Sequence, residues 1–225
     1  MKKIFSILAI AVLAVTGCKK STSSAPANSA NVMFVNGCAG TGSIYVMDGT
    51  TKIAGASNVA FFGTSGYQYI TAGSQSLSFY VSSLGSSTPL NTLSTSFTAN
   101  AHYSVFVAGL ITGSSTLVTT DDLSAPTSGN ANIRFINLSS DALSENVSVG
   151  TTSIATSVTS LQASAFASVG AGNFVIKAGD PSNISTVVST ASVTLSAGKI
   201  YTVMLTGTLA GIGTSALTLT VLTNN

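Results

Sequence analysis

His102 is the one histidine in a chain of 225 residues, so a hydrolytic mechanism that needs an imidazole base has a single candidate. It opens the string HYSVFVAG, and the matching string further on, IYTVMLTG, carries Ile200 in its place. Serines are abundant, but no G-x-S-x-G elbow offers one to a base. His102 is expected as a strand-edge residue, and no catalytic residue is assigned. The six acidic residues are scattered, which leaves no spacing for a pair of carboxylates acting on a glycosidic bond. Asp121 and Asp122 sit at a break in the chain, and Asp141 and Glu145 fall in what reads as the first loop of the second half. Oxygen ligands in such loops can hold Ca²⁺, but the D-x-[DN]-x-[DN]-G spacing is absent. The acidic pair is expected to be solvated, with no metal and no cofactor. Tyr67 and Tyr69, two apart on a strand with Phe61 and Phe62 nearby, are the candidates for stacking on a sugar ring. The alternative, that they close the core of a sandwich, is the expected role.

Two cysteines are present, Cys18 and Cys38. Cys18 ends MKKIFSILAIAVLAVTGC, in which Lys2 and Lys3 precede an apolar run from Ile4 to Val15. A bilayer span needs about 20 apolar residues, so this run reads as the core of a signal peptide. VTGC resembles a bacterial lipobox, which implies cleavage before Cys18 and lipid on its sulfur. Several acyl chains, at about 0.8 kcal/mol per buried methylene, hold a protein durably on a membrane. Cys38 is then left without a partner in the chain, so no disulfide framework is expected, and the residue reads as small and partly buried. Lys19 follows Cys18 where an inner-membrane retention signal would have Asp, which points to the outer membrane. CKKSTSS carries no acidic residue, and the face of the membrane stays open.

The full chain has 8 basic and 6 acidic residues, and the loss of Lys2 and Lys3 with the signal brings the mature chain to a formal charge of zero. With 6% charged residues and no basic patch, nucleic acid is excluded as a partner. Ser and Thr supply nearly a third of the residues, so the surface is made polar by hydroxyls.

These residues sit on a repeat. ANVMFVN at residue 30 returns as ANIRFIN at residue 131, and Gly49-Thr50-Thr51 with Ile53 returns as Gly150-Thr151-Thr152 with Ile154. Strings such as LSFYV, YTVMLT and LTLTV alternate with period two, which predicts half-buried antiparallel strands, about seven per copy. Phe34 and Phe135 are the expected core anchors, and Asn36 and Asn137 the strand ends. The expected organisation is a signal peptide over 1–17, a lipidated Cys18 with a tether over 18–29, one domain over 30–123, a linker over 124–130 and a second domain over 131–225. The fold class is all-β.

ANVMFVNG, IYVMDGTTKI, YQYITAGSQSLSFYV and FTANAHYSVFVAG, in that order and again in the second half, resemble the exported bacterial family known as domain of unknown function 4397. The second copy departs at the turn, where Val149 stands for Asp48. The resemblance covers residues 30 to 225 and implies tandem immunoglobulin-like or transthyretin-like β-sandwiches, often on lipoproteins of the Bacteroidota. It implies no reaction. The expected role is a lipid-anchored, non-catalytic structural or interaction module that meets other envelope proteins. The alternative is a module binding a glycan or small ligand through Tyr67, Tyr69 or loops.

Overall fold

The computed structural model describes residues 25–85, 87–180, 187–190 and 192–225. The signal peptide, Cys18 and most of the tether lie outside the described residues. The first half holds β1 (Ser29–Asn36), β2 (Ser43–Asp48), β3 (Thr51–Lys52), β4 (Val59–Ala60), β5 (Thr64–Thr71), β6 (Gly73–Val81), β7 (Asn91–Phe97), β8 (His102–Leu110) and β9 (Gly113–Thr120). The second half holds β10 (Asn130–Asn137), β11 (Ser144–Val149), β12 (Thr152–Thr159), β13 (Gln162–Ala163), β14 (Ala167–Gly170) and β15 (Gly172–Phe174). It continues with β16 (Ile176–Gly179), β17 (Val188–Ser189), β18 (Val193–Leu195), β19 (Ile200–Thr206) and β20 (Thr218–Thr223).

Each half is a two-sheet sandwich. In the first, the sheet β5-β1-β8-β9 faces the sheet β3-β2-β6-β7. In the second, β13-β10-β19-β20, with β14 also on β10, faces β12-β11-β16-β17 and the short pair β15-β18. β6 behaves as the alternation predicts, with Leu77, Phe79 and Val81 buried and Ser78 and Tyr80 turned away from the core. Phe34 meets Phe79 edge-on at 6.3 Å in one core, and Phe135 is fully buried in the other. Hairpins β2–β3 and β11–β12 turn on Gly49 and Gly150, both with φ near +57°, where a side chain would be strained (56° and 58°).

Two features depart from the expected half-buried antiparallel strands. β1 runs parallel to β8, and β10 runs parallel to β19. These four strands are also buried on both faces, and β19 has no position that is not buried. Their second faces meet. Met33, Val35, Phe106 and Ala108 of the first sandwich pack against Ile136, Leu138, Met204 and Leu222 of the second in one apolar cluster. The molecule is therefore four sheets deep, with a seam between the inner two. A Cβ on Gly37 would lie 2.6 Å from Leu138 Cδ1, so the chains close tightly there.

Strand directions give the molecule two poles. Ser29, the segment 121–129 and Asn225 lie at one, the terminal pole, where β1, β8, β10 and β19 begin. The loops after those four strands gather at the other, the loop pole. The contact of Gly37 with Leu138 and Thr206 shows that both sandwiches share it.

Candidate functional site: a polar lock in the seam

Arg134 is the chain's one arginine, set in the middle of β10 and 2% exposed. A guanidinium cannot be left bare at such a site, because the desolvation of an unpaired charge is severe. Its Nη2 lies 2.6 Å from Asp121 Oδ1. Nε donates to Thr202 Oγ1 at 3.0 Å, Nη1 to the Thr120 carbonyl at 3.4 Å, and Nη2 also to Ser104 Oγ at 3.5 Å. The plane stacks over Phe166 at 4.7 Å. Asp121 is equally well held. Its Oδ2 accepts from the Tyr67 hydroxyl and from Ser104 Oγ, each at 2.6 Å, and its Oδ1 accepts from Thr119 Oγ1 at 3.2 Å as well as from Arg134. Burial first, then the charge of Asp121, pushes the Tyr67 phenol well above its ordinary range. Tyr67 therefore stays a donor at any working pH.

The lock is built on matching positions made unlike. Asp121 N donates to the His102 carbonyl, and Asn224 N donates to the Ile200 carbonyl, both at 2.8 Å. Ser104 bonds Asp121, and Thr202 bonds Asn224 through its hydroxyl at 2.8 Å. Met33, paired with Tyr67 and Ser104, stands on β1 where Arg134, paired with Thr202 and lying over Phe166, stands on β10. The first copy thus supplies the acid and the second supplies the base. Asn224 Nδ2, beside this network, is the buried side-chain nitrogen without a hydrogen-bond partner among the described residues.

His102, Ser104 and Asp121 come together here, but their bonds run in the wrong order for a nucleophile. Ser104 Oγ donates to the carboxylate itself, and the imidazole makes an edge contact with Tyr67 at 5.5 Å. Ser104 is fully buried beneath the seam. Asp121, expected in solvent, is 5% exposed, because its break in the chain folds over the start of β8 and meets Arg134. Asp122 stays exposed and caps Ser124 N. No group of three or more His, Cys, Asp or Glu among the described residues is arranged to hold a metal ion.

The two tyrosines part company. Both point to the seam side of β5, where Tyr67 is tied to Asp121 while Tyr69 is 47% exposed. The Tyr69 segment borders an open groove of about 600 Å³ with Asp48, Thr51 and Gln68. Phe61 and Phe62 stack at 3.8 Å, and Phe62 closes the rim of the seam. Asn36 and Asn137 do more than end strands. Each is buried and clamps the loop that follows, Asn36 through Thr41, Val59 and Cys38 N, Asn137 through Ala142, Val158 and Ser139 N. Cys38 is fully rather than partly buried, and burial pushes its thiol up to about 12. It is a neutral core residue. Glu145 lies on β11 and not in a loop, 3% exposed. Burial first, and then the charge of Asp180, pushes its carboxyl from 4.5 up to about 7. Asp141 accepts from Ser139 Oγ and from Leu209 N.

Reasoning from sequence missed the lock, although a signal was present: one arginine in the centre of a repeated apolar strand. It also missed a stack on the outer face of the first sandwich. There Tyr45 and Tyr80 lie parallel at 5.0 Å, and Lys52 Nζ sits 3.9 Å above the Tyr45 ring. Both faces of Tyr45 are covered, which leaves it no face for a sugar.

Comparison with curated proteins returns no match. A family model described as Domain of unknown function (DUF4397) matches the chain over residues 30–144 and again over 140–225. Two matches across two sandwiches that share strand order, turns and clamps leave one reading, and the chain belongs to the DUF4397 family as a tandem of two copies.

Proposed function

We propose that the chain is a non-catalytic interaction module of the bacterial cell envelope, held on the outer membrane by lipid on Cys18. The observation that carries this reading is the lock. Arg134 and Asp121 are each held by several buried or half-buried polar side chains, and their ion pair ties the two domains together. Such an arrangement makes a stiff two-domain body, which suits presentation of a surface to a partner better than a reaction. The test is metabolic labelling with a fatty-acid analogue, followed by fractionation. Label and membrane recovery in the native chain, both lost in Cys18→Ala, are the expected result. A native chain that is unlabelled and soluble would sink the reading. Protease treatment of intact cells carrying a tagged copy then decides which face of the membrane it occupies.

A second reading rests on Tyr69, which is 47% exposed on the seam side of β5. An exposed aromatic face can stack on a sugar ring. Titration with a glycan panel tests it, and a ligand whose affinity is unchanged in Tyr69→Ala would argue against that role.

A further inference from the structure

Eight large hydrophobic side chains are exposed among the described residues, and six of them, Leu84, Ile111, Leu143, Val187, Leu209 and Ile212, lie on loops at the loop pole. Three of these loops, residues 110–113, 138–144 and 207–216, are described throughout, and they carry the most protruding side chains. Ile212 is 87% exposed and Leu143 73%. Single exposed leucines are ordinary, but a set drawn to one end of a molecule is not. Loops of glycine, serine and threonine hold these residues up, with Gly211 and Gly213 on either side of Ile212.

We propose that this crown inserts into a lipid bilayer of neutral headgroups, as a contact separate from any lipid on Cys18. Charge decides the kind of surface. The three loops contain no Lys or Arg, and their one acid, Asp141, is engaged by Leu209 N and Ser139 Oγ. Nothing there would draw the crown to anionic lipid. Residue type decides between lipid and protein. The tips are aliphatic and lack the Trp, Tyr and Arg that anchor most protein interfaces. Ile212 stands out furthest at 87% exposed, while Leu143 and Leu209 border one recess with Asp141, Glu145 and Asp180, which gives the crown acid and no base. This inference rests on the membrane-bound reading above, but its test does not use the anchor.

The chain has no tryptophan, so one introduced at a chosen site reports on that site alone. The protein is the chain from residue 18 onward with Cys18→Ser, which cannot be acylated, and the probe is phosphatidylcholine vesicles. Emission from Ile212→Trp and Leu143→Trp is expected to move to shorter wavelength on adding vesicles, while Val175→Trp at the terminal pole stays unchanged. The pair Ile212→Ser and Leu143→Ser, both at exposed positions, should fold normally and bind the vesicles about tenfold more weakly or worse. No binding to neutral vesicles would overturn the proposal and return the crown to a protein partner. A shift without vesicles, together with sedimentation as a dimer, would also overturn it and make a second copy the occupant. Binding only when phosphatidylglycerol is added would show that headgroup charge acts, against the proposal. Loss of labelling at Cys18 would bear on the anchor alone.

Discussion

Met33 and Arg134 hold the same place in two copies of one strand, and the chain around them differs accordingly. Beside Met33 the polar partners are Ser104 and an aspartate, Asp121, which reaches across to the other copy. Beside Arg134 they are Thr202 and a neutral amide, Asn224. Two copies with identical seams could pair with their own kind in any combination. The acid on one and the base on the other make only the mixed pair electrically complete. A pair of first copies would bury Asp121 against methionine, and a pair of second copies would bury Arg134 against asparagine. Buried ion pairs contribute little net stability over apolar replacements but strongly penalise wrong partners. The lesson is that a duplicated domain becomes a defined two-domain body through two substitutions at one seam.

The strongest way to break the comparison is Arg134→Met, which restores the first copy's residue. Asp121 is then buried without its cation, and urea unfolding should show a loss of about 3–5 kcal/mol. Adding Asp121→Asn should recover most of it. If the double variant is as weak as the single, the pair is not what holds the seam. Next come the clamps that the copies share. Asn36→Ala and Asn137→Ala each orphan buried backbone groups and should each cost about 2–3 kcal/mol. Unequal losses would mean that the two loops are not equivalent in energy as they are in geometry. Tyr67→Phe makes the first copy resemble the second at Phe166 and removes one donor from Asp121, for about 1–2 kcal/mol.

A pH-dependent effect separates the seam from the loop pole. The folded chain holds the proton on Glu145 up to about pH 7, whereas an unperturbed carboxyl releases it near 4.5. Ionising it in the folded state is unfavourable, so the contribution of Glu145 to stability is greatest below pH 4.5, falls as the pH rises to about 7 and is then flat. Thermal unfolding across that range should show the slope in the native chain and a flatter line in Glu145→Gln. The smallest expected change is at the crown, where Ile212→Ser should alter stability by less than about 0.5 kcal/mol. A larger loss would mean that the side chain is covered in solution.

Much of the fold was legible because strand alternation records which face is buried. LSFYV told apart Leu77 and Phe79 from Ser78 and Tyr80 without any tertiary information. The same rule stops short on YTVMLT. Period two names two faces, but it does not say what covers the second one, where Met204 meets the other sandwich. Parallel pairing of β1 with β8 was hidden for a related reason, since the strands lie 66 residues apart and hydrophobic pattern carries no direction. Asp121 was misread as solvated because a polar, proline-containing segment usually is. Its burial depends on Arg134, which is thirteen residues further along and in another domain.

Sequence by itself determined the duplication, the all-β class, the two phenylalanine anchors and the turns at Gly49 and Gly150, because each follows from local chemistry or from a string written twice. Tertiary structure alone decided that the inner sheets meet and that Tyr67 is tied down while Tyr69 is free. It also decided that Arg134 finds Asp121 and that the exposed leucines and isoleucines collect at one pole. Those outcomes depend on how two finished sheets dock. Docking is set by the combined shape and charge of both faces, which no single stretch of chain contains.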